Sequence, residues 1–149
     1  MRFPHNLLEL CKFCVLLTCL ACSVGCAERH EPAGEGDVRL AVLSPALADT
    51  LHRLGHAELI VGRQQFDRFT DQGVPVVGDL TGVDYETLLN VRPTHIVAQQ
   101  TQAGLPDRLY EIASERGWSV HELPLLTLED SIDSIAVLDE IAGGTGELA

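Results

Sequence analysis

Residues 39–55 read RLAVLSPALADTLHRLG, and the order of residue types in this stretch decides the fold. A short apolar run is broken at Ser44-Pro45, and a helix-like segment follows that stops at Gly55. Ser44 suits the position that caps a helix, and Pro45 suits its first turn, where the missing N–H costs nothing. The stretch therefore predicts a buried strand that passes directly into a helix, the repeating unit of a parallel α/β sheet.

The same alternation continues along the chain. ELIVG, VPVVG, HIVAQQ and WSVHELP read as strands, and DYETLLNV, LPDRLYEIASERG and LEDSIDSIAVLDEIAGG read as helices. Gly55, Gly117 and Gly143 stand where helices should end. Leu128, Ile132, Ile135, Leu138 and Ile141 recur at helical spacing and predict the core face of the last helix. Between two strands, GRQQFDRFTDQG has no period and carries two phenylalanines, so it reads as a loop with a role. The fold class expected is α/β: a parallel-sheet, Rossmann-like lobe with helices on both faces, beginning near Val38.

The 149 residues are 46% hydrophobic and 21% charged, the composition of one folded domain. Their formal charge of −12 includes a single lysine, Lys12, and such a surface repels phosphate backbones, which excludes nucleic acid as a partner. Arg2 and Lys12 precede an apolar run, residues 13–25, that is shorter than the roughly 20 residues a spanning helix needs. Residues 1–26 are read as a secretory signal. All five cysteines lie within it, so its two CxxC pairs are not read as a metal site. Ser23-Val24-Gly25-Cys26 resembles a bacterial lipobox, which makes Cys26 the expected lipidation site, with Cys22 as the alternative. Residues 27–37, rich in Glu, Gly and Pro, are expected to be a flexible tether, and residues 38–149 the folded domain.

Chemistry-bearing constellations are sparse. Ser44 has no Gly-x-Ser-x-Gly elbow around it. His52 and His56 are four apart, but Gly55 intervenes, and His95 and His121 fall at strand positions and read as sheet-edge residues. No phosphate-binding glycine motif follows any strand. What remains is a set of loops at the carboxyl ends of parallel strands, where open α/β sheets bind ligands. They are Ser44-Pro45, residues 63–69, Gly78-Asp79-Leu80 and Gln99-Gln100-Thr101.

Four segments, in order, resemble the substrate-binding proteins of ABC importers for ferric siderophores, haem and cobalamin. They are RLAVLSPALADTLHRLGHAELIVG, GRQQFDRFT, VPVVGDLTGVDYETLLNVRPTHIVA and LPLLTLEDSIDSIAVLDEIAGGTG. The resemblance implies a two-lobed, periplasmic or envelope protein with ligand in the cleft between lobes. Its sequence here ends at Ala149, and on this resemblance it carries the N-terminal lobe without the joining helix and second lobe. Ligand contacts are implied at Ser44, Pro45, Arg63, Phe66, Phe69, Leu80, Gln99 and Gln100, with Arg63 or Arg68 pairing with a carboxylate of the ligand. Glu86 is implied to dock onto the permease. The expected partners are that permease and a small metal chelate or tetrapyrrole, with the membrane touched only through a lipid anchor and no cofactor or metal of the protein's own. Two other readings are an exported hydrolase using Ser44 or a zinc ion held by His52 and His56, and a lipoprotein that binds nothing.

Overall fold

The computed structural model describes residues 37–79, 82–144 and 146. The signal, Cys22, Cys26, most of the tether and Leu80 lie outside the described residues. Five strands form one sheet: β1 (Leu40–Val42), β2 (Ile60–Gln64), β3 (Val76–Gly78), β4 (His95–Gln99) and β5 (Ser119–Leu123). Every pairing between them is parallel, and their order is β3-β2-β1-β4-β5. Three α-helices connect strands, α1 (Pro45–Leu54), α2 (Tyr85–Val91) and α3 (Asp107–Arg116), and a fourth, α4 (Leu128–Ile141), follows β5. The expected α/β lobe is present.

Alternation along the strands builds two cores. Leu40, Val42, Val97 and Leu123 point to one face and pack with Leu47, Leu51 and Leu138 of α1 and α4. Ala41, Val77 and Ile96 point to the other, against Leu88, Leu109 and Ala113 of α2 and α3. A sheet buried on both faces cannot show the apolar/polar alternation of a half-exposed strand, which is why its strands read as continuous apolar runs. No helix among the described residues is long and apolar enough to cross a membrane.

The helix ends follow local chemistry. Pro45 opens α1, and Gly55 closes it at φ 85°, a left-handed conformation that a Cβ would oppose. Thr127 and Asp130 bond each other's backbone N–H groups in a capping box at the start of α4. At the end of α2 the side chain of Arg39 donates to the carbonyls of Val91 and Arg92, at 2.7 and 3.1 Å. These carbonyls have no partner within the helix.

Two expectations change. Ser44 occupies the cap position with extended backbone, φ −139° and ψ 124°, but its hydroxyl makes no capping hydrogen bond. The aliphatic stripe of α4 is buried only in its second half: Leu138 is fully buried, whereas Leu128 and Ile132 are 79% and 48% exposed. Ser134 takes an inward position instead, and its hydroxyl donates to the Pro124 carbonyl at 2.7 Å, so the buried polar group is satisfied.

Candidate functional site

The strand order places β1 between β2 and β4, so the chain leaves β1 toward one side of the sheet and returns for β4 on the other. At the carboxyl ends of these two strands the connections diverge and leave a crevice. A cavity of about 490 Å³ occupies it. Leu43, Ser44 and Pro45 form one wall, and Ala98, Gln99 and Thr101 another, with Leu105 and Pro106 leading into α3. Gln64, Asp79, Gly82, Val83, Ala103 and Gly104 complete the lining. A second cavity of about 290 Å³ shares Asp79, Gly82 and Val83 with the first and extends to Gln65 and Asp84. The larger surface mixes aliphatic side chains with polar groups that are neutral apart from Asp79, as ligand sites do.

Phe66 and Phe69 stand on the neighbouring connection from β2 to β3. The two residues are 55% and 51% exposed. The loop displays them because Asp67 and Thr70 turn inward instead. Asp67 is 1% exposed, and its Oδ1 accepts from the N–H groups of Phe69 and Thr70 at 2.8 and 3.3 Å. Gln64 accepts from the Phe66 N–H at 2.5 Å, and Gln72 donates to the carbonyls of Asp67 and Thr70. Such side-chain-to-backbone bonds replace the missing sheet ladder and fix the loop.

Of the residues singled out in the sequence, Ser44, Pro45 and Gln99 come together on the larger cavity. Gln100 is exposed, and its N–H bonds the Leu123 carbonyl at 2.8 Å, tying the end of β4 to that of β5. Arg63 is a correction. It lies inside β2 rather than in the loop, is 7% exposed, and donates to the carbonyls of Val74, Gln64 and Gln65. Its guanidinium holds the β2–β3 connection, which leaves Arg68, exposed beside the two rings, as the loop's available cation. Glu86 is exposed in the first turn of α2. That helix is capped by Asp84, whose carboxylate accepts from the backbone and hydroxyl of Thr87. The Thr87 backbone bond, more than any other contact, holds Asp84 below the ordinary carboxylate value.

The histidines separate. His52 reaches Thr70 Oγ1 at 3.4 Å, while His56, beyond Gly55, bonds Asp139 at 2.9 Å. The zinc pair imagined for them is not assembled, because the left-handed turn at Gly55 sends His56 to a different partner. Among the described residues no three His, Cys, Asp or Glu side chains are grouped as metal ligands. Nor does either histidine bond Ser44. His95 and His121 bond each other, Nδ1 to Nε2 at 3.1 Å. Burial holds both below the ordinary imidazole value, and repulsion from His95 lowers His121 further.

Sequence reasoning missed Val83, Gly104 and Leu105 as cavity residues. A signal for two of them was present: Gly104-Leu105-Pro106 is the turn that leads from β4 into α3.

No protein-family model matches the chain, and no curated protein matches it. Solved structures do. A possible iron-binding, periplasmic solute-binding protein of Staphylococcus epidermidis superposes with a TM-score of 0.62 at 21% identity, over 70% of this chain and 42% of that one. The periplasmic haem-binding protein of Vibrio cholerae gives 0.62 at 19% identity, over 72% and 42%. The periplasmic vitamin B12-binding protein of the same organism gives 0.57 at 20%, over 70% and 44%. The chain has the fold of these binding proteins. It spans less than half of their length, and at such identities what is shared is the course of the backbone.

Proposed function

We propose that the chain supplies one lobe of a substrate-binding protein that captures an iron chelate, haem or corrinoid outside the cytoplasmic membrane and delivers it to the permease of an ABC importer. The supporting observation is the cavity of about 490 Å³ at the carboxyl ends of β1 and β4, in a fold shared with solved iron-, haem- and B12-binding proteins. On this reading Ser44, Gln99 and Thr101 hydrogen-bond the ligand, and Leu43, Pro45 and Leu105 cover its apolar edge. Phe66 and Phe69 offer ring faces to a planar or macrocyclic ligand, at little cost in side-chain entropy. Arg68 pairs with a carboxylate of the chelate.

On this reading the role is binding rather than catalysis: among the described residues no histidine bonds Ser44, and the polar groups of the cavity are mostly neutral. Glu86, exposed on α2, meets a basic surface of the permease. Residues 1–26 direct export, and Cys26, or else Cys22, carries the lipid that holds the protein at the envelope. Labelled fatty acid should enter the wild-type protein and not the variant lacking the modified cysteine.

Titrating the purified chain with haemin, a ferric siderophore and cyanocobalamin tests the main proposal. Saturable one-to-one binding of one class, weakened by Ala103→Glu in the cavity wall, is expected. Binding of none of the three, or binding that Ala103→Glu leaves untouched, would reject it.

A further inference from the structure

The mutual hydrogen bond of His95 and His121 lies away from the crevice. His95 opens β4, four residues and roughly 13 Å before Gln99 at the cavity. In the parallel register Val97 stands opposite His121, and residues two apart share a face, so both imidazoles lie on the side of the sheet covered by α1 and α4. Each is half-buried, and β5 is the edge of the sheet, so the pair is open to solvent along that edge.

We propose that His95 and His121 together bind a borderline divalent transition-metal ion, of the zinc, nickel or copper class. Imidazole nitrogen suits these ions, and hard ions such as magnesium prefer oxygen. Two nitrogens 3.1 Å apart, each about 2.0–2.1 Å from one metal, subtend about 95–102° at it. That angle falls between about 90° for square-planar and about 109° for tetrahedral coordination. The present bond already requires that at least one ring be neutral, because two protonated imidazoles have no acceptor between them. The ring centroids are 5.3 Å apart and the planes are tilted by 31°. The outer nitrogens, Nε2 of His95 and Nδ1 of His121, make no hydrogen bond among the described residues. No other hydrogen bond among the described residues holds the rings, and the broad torsion of an imidazole lets both lone pairs turn toward one ion. The remaining coordination positions face solvent and take water. A net charge of −12 raises the local concentration of any cation.

The test is a zinc titration of the full chain labelled with ¹⁵N in its histidines, with the ring nitrogens read residue by residue so that metal on the cysteines of residues 11–26 does not interfere. The rings of His95 and His121 should shift together with one apparent Kd, and magnesium should move neither. His121→Gln should weaken the response of His95 by about tenfold or more, since a single imidazole loses the gain of two linked ligands. His52 and His56 serve as reporters that the variant is folded. Unmoved rings at millimolar zinc would overturn the proposal in the wild-type protein alone. An equal response of His95 in wild type and variant would also overturn it.

Discussion

Leu138→Ala and Leu128→Ala should differ sharply, although both leucines belong to one aliphatic stripe of α4. Leu138 is fully buried against Leu47 and Leu51. Removing three carbon groups at about 0.8 kcal/mol each costs about 2.4 kcal/mol in transfer free energy. A void adds to this, because Leu138 and Leu47 already border a cavity of about 270 Å³ and the wall has little to collapse onto. The expected loss is about 3–4 kcal/mol, within the usual range for such truncations. Leu128 is 79% exposed, so its loss should stay within about 0.5 kcal/mol. Urea unfolding followed by far-UV circular dichroism and by Trp118 fluorescence measures both. A loss below about 1 kcal/mol for Leu138→Ala, or equal losses for the two variants, would refute the packing of α4 described above.

Gly62→Ala should cost about 1–3 kcal/mol in the same assay, because the new Cβ would lie 2.6 Å from Cγ1 of Val77 on the neighbouring strand; an unchanged midpoint would mean that β2 and β3 are not so closely apposed. Phe66→Ala should weaken ligand binding by about 1–3 kcal/mol without changing stability, and unaltered affinity for every ligand class would remove the ring from the site. Stability should also fall with acid. The folded values of His95 and His121 lie below 6.5, so the unfolded chain takes up protons first. Their contribution is complete above about pH 6.5 and is lost as pH falls from there through the folded values. With a chelator present, His121→Gln should flatten this slope, and an unchanged slope would place its origin elsewhere.

Much of the fold was legible because its signals are local. Burial on both faces writes a strand as an apolar run, and helices announce themselves at Pro45, Gly55 and Gly117, where backbone geometry restricts the residue. The location of the crevice followed from topology, so Ser44, Pro45 and Gln99 could be placed beside it. Side-chain partners were less accessible, since they depend on register between distant segments. Arg63 reads as a free loop charge until the pairing of β2 with β3 brings the Val74 carbonyl to its Nε at 3.0 Å. The partnership of His95 and His121, 26 residues apart, exists only because β4 and β5 align Val97 with His121. For α4, periodicity gave the helix but not how far along it the core extends, which the position of the neighbouring helix decides.

On the proposed function, the crevice between β1 and β4 receives an iron chelate, haem or corrinoid. Amide chemical shifts of the ¹⁵N-labelled chain, titrated in turn with a diamagnetic gallium–siderophore complex, a gallium porphyrin and cyanocobalamin, test it most directly, because they also detect weak binding by a single lobe. One ligand class should move the amides of Leu43, Ser44, Gln99, Thr101 and Gly104 together and leave those of Ser119 and Val120, at the opposite end of the sheet, in place. Shifts spread over the surface, or no shift at those five positions with any of the three, would contradict the account.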